Sequence, residues 1–272
     1  MSLINLIVQY VNDPRPSRQG EYDECMRHNL ANPHLKAIHN LQELPSIRVP
    51  NEFRNHPKYR EQELGRWMTY TDAITYANRM FSSQICGIIN LDIFLDHDTN
   101  WPLAAQILHS ELRIVLCLSR TEFNPADGSS LRDAKLMTWN FANSQDAWIF
   151  RVPLENVKNC DFKIGTLGCD NAIAHRLKQA GYLPVNAPQR FKVYHIDRVR
   201  GKNLDNQHQI HDRERTQRGR SSHPEVEGQY LLPNMDMMRS VDQLLQSLKK
   251  NELQRYEIIC DVLNRFVKLR NP

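Results

Sequence analysis

Acidic residues follow the most apolar stretch of the chain. The run Gln84–Leu91 (QICGIINL) is short, continuous and rich in β-branched residues, which predicts a buried central strand. Asp92 comes directly behind it and Asp96 four residues later. Ligands bind beyond the carboxyl ends of strands in open α/β sheets, and carboxylates with a diphosphate are typical ligands of Mg²⁺ or Mn²⁺. Such a pair also fits a solvated turn or a helix cap, so both interpretations stay open.

Two further residues lie at the ends of predicted elements. Asp170 opens a predicted helix, where a carboxylate serves as an N-cap and is also held rigidly enough to act as a general base. His195 follows a predicted strand, and a neutral imidazole is a good ligand for a manganese-like ion. A lone histidine in this place is also an ordinary core or surface residue. At a shared sheet edge, His195 would meet Asp92.

The elements that must position these residues alternate between strand and helix. Apolar runs predict strands at Leu3–Tyr10, Lys36–Leu41, Ile47–Val49, Gln84–Leu91, Arg113–Ser119, Asp146–Arg151 and Phe191–Tyr194. Helical spacing predicts helices at Pro16–Ala31, Thr71–Met80, Trp101–His109 and Asn171–Ala180. This alternation favours an α/β fold with a mostly parallel sheet.

Length and composition limit the possible classes. The 272 residues, 40% of them apolar, suit one α/β domain with an appendage. The net charge of +4 suits a phosphate-bearing ligand without indicating nucleic acid. Six cysteines with no Cys-x-x-Cys pair favour a reducing compartment, the cytoplasm. No stretch approaches the roughly 20 apolar residues of a membrane span, and the first residues lack the basic leader of a signal peptide.

The last quarter of the chain differs from the rest. Residues 198–229 carry almost no apolar side chains, which predicts a flexible basic loop. Met235–Leu248 and Leu253–Leu269 have helical spacing, so residues 230–272 are predicted to form a helical hairpin. The histidines of the basic loop lack the cysteines and the spacing of a zinc site.

The order of these features resembles the GT-A nucleotide-sugar glycosyltransferases, and the inverting family-two-like enzymes in particular. Residues 65–73 (GRWMTYTDA) and the strand that ends in NLD at 90–92 are similar to the arginine, helix and Asp-x-Asp metal motif of that family. LGCDN at 167–171, followed by AGY at 180–182, is similar to its acidic base motif. The resemblance covers roughly residues 3–197 and implies a Rossmann-like, mixed and mostly parallel sheet flanked by helices.

The resemblance also implies an activity, namely transfer of a sugar from a UDP- or GDP-sugar to an acceptor hydroxyl. Asp92 and His195 would hold a Mn²⁺ or Mg²⁺ ion on the donor diphosphate. Asp170 would deprotonate the acceptor, which favours inversion. Asp146 would bind sugar or acceptor hydroxyls, with Trp148 beneath. The other donor-binding residues that the resemblance implies are Tyr10, Asn12, Asp13, Arg66, Thr69, Asn90 and, in the basic loop, Arg200.

The sequence departs from the family pattern at two positions. Asn90 stands where the first acid of Asp-x-Asp is expected, so metal binding would rest on Asp92 with His195, or on Asp96. Asn171 replaces the family's glutamate after the base. Asp170 is then the one carboxylate at that place, and Asp146 is the alternative base.

Two other functions fit the same sequence. The basic loop permits a DNA-base glycosyltransferase, and the altered metal motif permits a non-catalytic GT-A-like interaction protein. For the favoured enzyme, the acceptor is a glycan, a lipid-linked sugar, a protein or a small molecule. A Rossmann oxidoreductase and a P-loop nucleotidase are disfavoured because neither glycine-rich phosphate motif occurs.

Overall fold

A computed structural model describes residues 3–123, 145–166, 168–186 and 191–196. The strands are β1 Ile4–Val8, β2 Leu35–Gln42, β3 Tyr59–Glu63, β4 Ile85–Ile89, β5 Ile93–Leu95, β6 Ile114–Leu118, β7 Thr121–Glu122, β8 Ala147–Arg151, β9 Leu183–Val185 and β10 Val193–His195. The helices are α1 Pro16–Ala31, α2 Asn51–Arg54, α3 Tyr70–Met80, α4 Trp101–Leu108 and α5 Cys169–Gln179. The predicted basic loop with Arg200 and the predicted hairpin lie outside the described residues.

Seven strands form one sheet in the order β3-β2-β1-β4-β8-β6-β9. Strand β8 runs antiparallel to both of its neighbours, and the other pairs are parallel. The predicted mixed, mostly parallel sheet is therefore confirmed. The central strands β1, β4 and β6 are buried along their whole length, which explains why their sequences are continuously apolar and do not alternate.

Helices cover both faces of this sheet and divide the core into two layers. One core cluster takes Leu6 of β1 together with side chains of α1 and α4, and the other takes Ile7 of β1 together with side chains of α3 and α5. Successive strand residues point to opposite faces, so each central strand feeds both clusters. Gly87 in β4 leaves space for Leu6, since a Cβ atom there would lie 2.8 Å from its Cδ2 atom.

Helix starts follow local chemistry. Helix α1 has Pro16 in its first turn, where a missing N–H costs nothing. Thr69 and Asp72 form a reciprocal capping box at α3. Helix α5 begins after Gly168, which takes the left-handed conformation with φ of 85°. Asp170 therefore lies within the first turn of α5 and does not cap it, contrary to one of the two sequence-based interpretations.

A small second sheet, in the order β5-β10-β7, lies beside the main one. Strand β10 is antiparallel to β5, with His195 opposite Ile93. The Ile196 N–H also donates to the carbonyl of Asp92 at 3.3 Å. This pairing joins the end of β10 to the turn behind β4, although the two are about 100 residues apart in the chain.

Several elements differ from prediction. Residues 47–49 form no strand, whereas β3 was not predicted because only Tyr59 of its five residues is buried. An edge strand of this kind lacks the apolar alternation that marks strands. Strand β10 includes His195 and does not end before it. None of the described helices is both long enough and apolar enough to span a membrane.

Candidate active site

Polar side chains from six chain segments gather at one edge of the main sheet. Strand β8 is antiparallel, so its start lies at the same edge as the ends of β4 and β6. The Asn90 N–H donates to the Asp146 carbonyl at 3.1 Å, and the Asp146 N–H donates to the Leu118 carbonyl at 2.9 Å. These bonds hold the residues behind β4 and β6 against the start of β8, so their side chains share one rim.

Asp92 and His195 meet at this rim. Their Oδ2 and Nε2 atoms are 3.2 Å apart. His195 is 2% exposed, because the pairing of β10 with β5 buries it. The structure thus brings together the two residues that were predicted to share a cation. Both atoms are acceptors when the carboxylate is ionised and the nitrogen is unprotonated, so a proton or a metal ion is needed between or beside them.

Arg18 completes this group, and the sequence analysis did not find it. It comes from the first turns of α1 and donates through Nη2 to Asp92 Oδ2. Its Nη1 atom donates to Glu21 at 2.6 Å and to the Ile196 carbonyl at 3.3 Å. Burial is the largest single effect and lowers the pKa of Arg18, but Asp92, Tyr22 and Glu21 together outweigh it, so the pKa of Arg18 is raised. We call Arg18, Glu21, Asp92 and His195 the cation-side cluster.

Asp146 lies further along the rim and is 5% exposed. Arg120, behind β6, donates from Nη1 to both carboxylate oxygens at 3.0 Å. Asn90 donates from Nδ2 to Oδ1 at 3.0 Å. Burial raises the pKa of Asp146, while the positive charge of Arg120 opposes that rise. Asp92 and His195 are close enough to affect the same pKa, so Asp146 connects the two ends of the rim.

Asp170 is the second carboxylate at the same end of the rim as Asp146, and it is partly buried. Its Oδ1 atom accepts from the Cys169 thiol at 3.0 Å, and it also accepts from the backbone N–H of Gln145. Burial, followed by the negative charge of Asp146, raises the pKa of Asp170 to about 7. We call Arg120, Asp146, Cys169 and Asp170 the base-side cluster. A carboxylate with a pKa near neutrality is suited to accept a proton during a reaction at physiological pH.

The residues predicted to contact the nucleoside follow β1, but their side chains have partners within the protein. Tyr10 is 1% exposed, and its hydroxyl donates to Asp23. Asn12 exchanges two hydrogen bonds with the backbone of Arg48, at 2.7 and 3.1 Å. Asp13 pairs with a neighbouring arginine at 2.7 Å. These contacts shape the loop after β1. That loop leads into α1, which carries Arg18 and Glu21 of the cation-side cluster.

Other predicted residues are placed by the structure in different roles. Thr69 is 7% exposed and caps α3, whereas the Arg66 side chain is 65% exposed and pairs with Asp72 at 2.5 Å. Trp148 is 1% exposed and packs edge-on against Tyr70 at 5.0 Å between ring centroids. Trp148 therefore supports the rim from within the core.

The alternative metal residue, Asp96, lies away from the cation-side cluster. Asp92 lies before β5 and Asp96 lies after it, so about 13 Å of extended chain separates these two residues. Its carboxylate accepts from Thr99 at 2.8 Å, and its carbonyl accepts from the Trp101 indole at 2.7 Å. Asp96 thus organises the turn that leads into α4.

The charges at the rim favour a bound cation. The guanidinium groups are those of Arg18 and Arg120. They lie among four carboxylates, those of Glu21, Asp92, Asp146 and Asp170. The buried side-chain oxygen of Asn90 has no hydrogen-bond partner among the described residues. Within those residues no three His, Cys, Asp or Glu side chains form a metal site by themselves. Mg²⁺-like ions commonly take one or two protein carboxylates and complete their shell with water and substrate phosphates, and the residues present fit such an ion.

Comparison with solved structures identifies the class of fold. A mannosyltransferase of Pyrobaculum calidifontis, solved with GDP-Man and Mn²⁺, matches 99% of this chain and 81% of its own, at a TM-score of 0.51 and 14% identity. The chain has the fold of the GT-A nucleotide-sugar glycosyltransferases, as its sequence implied.

A second solved structure is less similar. Residues 1–349 of Staphylococcus aureus TarS, solved with UDP-GlcNAc, match 90% of this chain and 81% of that chain at a TM-score of 0.45 and 11% identity. The sequence matches no protein-family model and no curated protein.

Sequence reasoning missed four residues of the two clusters. Arg18, Arg120 and Cys169 each bind a predicted residue, and Glu21 binds Arg18. Of the four, only Cys169 lies in a segment that resembles a motif, the one that also contains Asp170. Arg120 does carry a weak signal, since it follows a predicted strand directly, as Asp92 does. Arg18 and Glu21 lie on a helix with no distinguishing spacing, and only the fold shows that Arg18 binds Asp92 while it pairs with Glu21.

Proposed function

We propose that this chain is a glycosyltransferase that moves a sugar from a UDP- or GDP-sugar to an acceptor hydroxyl. One observation carries the proposal: Asp92, His195, Asp146 and Asp170 lie along one rim of a GT-A fold, although they come from four separate segments. A fold alone does not define an activity. The combination of a cation-side cluster and a poised carboxylate on the same rim supports group transfer.

On the donor side, Asp92 and His195 would hold a Mn²⁺ or Mg²⁺ ion. When bound, such an ion supplies positive charge to the departing diphosphate. Arg18 already holds one oxygen of Asp92, so the carboxylate is fixed in orientation before any ligand arrives. Hydrogen-bond partners of a metal ligand typically have a strong effect on the metal affinity of the site.

On the acceptor side, we assign the general base to Asp170. Its carboxylate takes the proton of the acceptor hydroxyl as the acceptor oxygen forms a bond to the anomeric carbon. The bond from that carbon to the diphosphate oxygen breaks, and the diphosphate leaves with the electron pair. This direct displacement inverts the anomeric configuration. Asp146 is the weaker candidate for the base, because Arg120 and Asn90 already occupy its oxygens.

Asp146 is better suited to hold a hydroxyl of the sugar or acceptor. Its two oxygens are fixed from one side by Arg120 and Asn90, which leaves acceptor capacity for a substrate hydroxyl. Among the other proposed donor contacts, Arg66 has the most exposed side chain and suits a phosphate or base. The proposed nucleoside contacts at Tyr10, Asn12, Asp13 and Thr69 would involve the backbone or a rearranged partner. The described cysteines are free and buried, which supports a cytoplasmic location.

A thermal-shift panel of nucleotides and nucleotide sugars, with and without Mn²⁺, tests the proposal. We expect one nucleoside diphosphate and its sugars to stabilise the protein only in the presence of Mn²⁺ or Mg²⁺. A ligand at 100 times its Kd contributes about 2.7 kcal/mol. Asp92→Asn should abolish the cation-dependent part, and Asp96→Asn is the matched control that should retain it.

Product analysis tests the chemistry itself. Incubation with the stabilising donor and a panel of acceptors, followed by NMR of the anomeric proton, should show a linkage of inverted configuration. Retained configuration would reject direct displacement with Asp170 as base. A protein that no nucleotide sugar stabilises under any cation condition would reject the glycosyltransferase assignment and favour an interaction protein.

A further inference from the structure

The carboxylate of Asp170 is held by a thiol that the proposed reaction does not use. The Cys169 thiol donates to Asp170 Oδ1 at 3.0 Å. The Tyr70 hydroxyl in turn donates to the Cys169 sulfur at 3.6 Å. Cys169 is 1% exposed and Tyr70 fully buried, so the hydrogen bond between them lies within the core, whereas the bond from Cys169 to Asp170 is partly buried. Three side chains from α3 and α5 thus form a short hydrogen-bonded chain that ends on the proposed base.

The backbone and the packing around this chain leave it little freedom. Gly168, in the left-handed conformation, turns the chain so that Cys169 and Asp170 enter the first turn of α5. The Tyr70 ring contacts Trp148, at 5.0 Å between ring centroids, and Phe162, at 5.3 Å. Because protein interiors are close-packed, the fully buried Tyr70 keeps one rotamer and its hydroxyl stays directed at the sulfur.

The Cys169 thiol stays protonated and therefore remains a hydrogen-bond donor, because burial raises the pKa of Cys169 well above its ordinary value. The groups that face Asp170 are Asp146 from directly before β8, Arg120 from behind β6, and the Gln145 N–H. Of these, Asp146 disfavours the anionic form of Asp170. The Cys169 hydrogen bond favours it, as does the Gln145 N–H, because a donor stabilises the charged state of a carboxylate.

We propose that Cys169 is a positioning residue for the base: held by Tyr70, its thiol fixes one oxygen of Asp170 and turns the other toward the acceptor hydroxyl. The inference rests on the proposed function. A thioether or an alkyl group at this place could pack equally well but could not donate. The thiol therefore does more than fill the core, since it fixes the carboxylate and favours the ionised form that accepts a proton.

Direct titration of Asp170 in Cys169→Ala, Cys169→Ser and wild-type protein tests the inference without any substrate. The carboxyl carbon is followed by NMR in protein labelled with ¹³C-aspartate, and Asp170→Asn identifies its signal. Loss of the thiol donor should raise the midpoint by about 0.5 to 1 pH unit, the size expected for one hydrogen bond of ordinary strength, because a thiol is a weak donor. Serine restores a donor and should titrate below alanine. Cys117→Ala removes a buried thiol elsewhere in the core and should leave the midpoint unchanged.

The same variants then separate positioning from packing in the transfer reaction. The acid limb of kcat/KM against pH should move upward in Cys169→Ala by the same amount as the NMR midpoint, and Cys169→Ser should move it back. An unchanged NMR midpoint in folded Cys169→Ala would overturn the inference. If Cys169→Ala does not fold, Tyr70→Phe replaces it: a raised midpoint supports the inference, and a midpoint equal to wild type overturns it.

These outcomes stay distinct from failure of the proposed function. A wild-type protein that transfers no sugar rejects the glycosyltransferase assignment, whereas the NMR titration still decides whether Cys169 controls Asp170. A shifted NMR midpoint with an unshifted acid limb would show that Asp170 is held by the thiol but is not the base. That combination would overturn the positioning role in catalysis.

Discussion

The two ends of the rim use the same residue types under opposite electrostatic conditions. In the cation-side cluster, Arg18 is enclosed by Asp92 and Glu21, and the carboxylates are paired with a fixed positive charge. In the base-side cluster, Asp146 takes the nearby guanidinium of Arg120, and Asp170 accepts only neutral donors among the hydrogen bonds that the structure shows.

Under the proposed function, this difference suits the two ends to different tasks. The Asp92 carboxylate is fixed in orientation by the Arg18 guanidinium, as a ligand for a cation should be. A carboxylate that is desolvated beside another acid gains affinity for a proton, as a general base requires. The comparison teaches that the electrostatic surroundings of each carboxylate depend on where the fold places Arg18 and Arg120.

The largest expected effect comes from Asp170→Asn. The amide keeps the shape of the side chain but cannot take a proton, so transfer should fall by about 10²- to 10⁴-fold. The cation-dependent stabilisation by the donor should remain, because the cation-side cluster is intact. Steady-state kinetics and thermal shifts measure the two effects on the same preparation. Donor binding lost together with transfer would contradict a division of tasks between the two ends.

The next effect concerns stability. Arg18→Met leaves Glu21 and Asp92 buried beside an apolar side chain, and breaking a buried ion pair of this kind costs about 3–5 kcal/mol. Urea unfolding measures the loss. Arg27→Met is the matched control, since the pair with Glu52 is about half exposed and worth less than about 1 kcal/mol. Equal losses in the two variants would show that the cation-side cluster is no more structural than a surface pair.

The fold could be predicted, and candidate site residues could be chosen, because both depend on local patterns. The continuous apolar runs of β4 and β6 indicated central strands, and the end of such a strand is where α/β folds bind ligands. Asp92 was found in this way. Asp170 was found from the motif around it, and His195 from its place behind a predicted strand. The meeting of Asp92 with His195 followed from topology once the strands were placed in order.

Strand β3 and the contacts of Arg18 could not be predicted, because they depend on pairings between elements that are distant in the chain. Strand β3 has a polar sequence and is defined by its partner β2. Arg18 binds a residue 74 positions away, and no spacing along α1 reveals that contact. Residues 47–49 look like a strand by composition but lack a partner strand in the described structure. Composition predicts which residues can be buried, while the fold decides which charges they meet.

Stability should depend on pH in a way that isolates Asp170. The folded protein holds the proton of Asp170 up to about pH 7, whereas the ordinary pKa of an aspartate is 3.8. Because the folded state binds this proton more tightly, the contribution of Asp170 to stability is largest at low pH and declines as pH rises from about 4 to about 7. The unfolding free energy of Asp170→Asn minus that of wild type should therefore rise across this range and level off above pH 8. A flat difference would contradict a raised pKa for Asp170.

The smallest expected effect comes from Arg66→Ala, which compares an exposed arginine with the buried Arg18. The Arg66 side chain is 65% exposed, and its partner Asp72 is already held by the cap of α3. Arg66→Ala should therefore leave the unfolding midpoint unchanged, unlike Arg18→Met. If Arg66 contacts the donor, loss of one charge-assisted hydrogen bond should weaken donor binding by about tenfold. Isothermal titration with the donor and Mn²⁺ measures this, and Arg79→Ala in the last turn of α3 is the control. Weaker binding with unchanged stability would show that exposed arginines serve the ligand while buried ones serve the fold, and unchanged binding would remove Arg66 from the donor site.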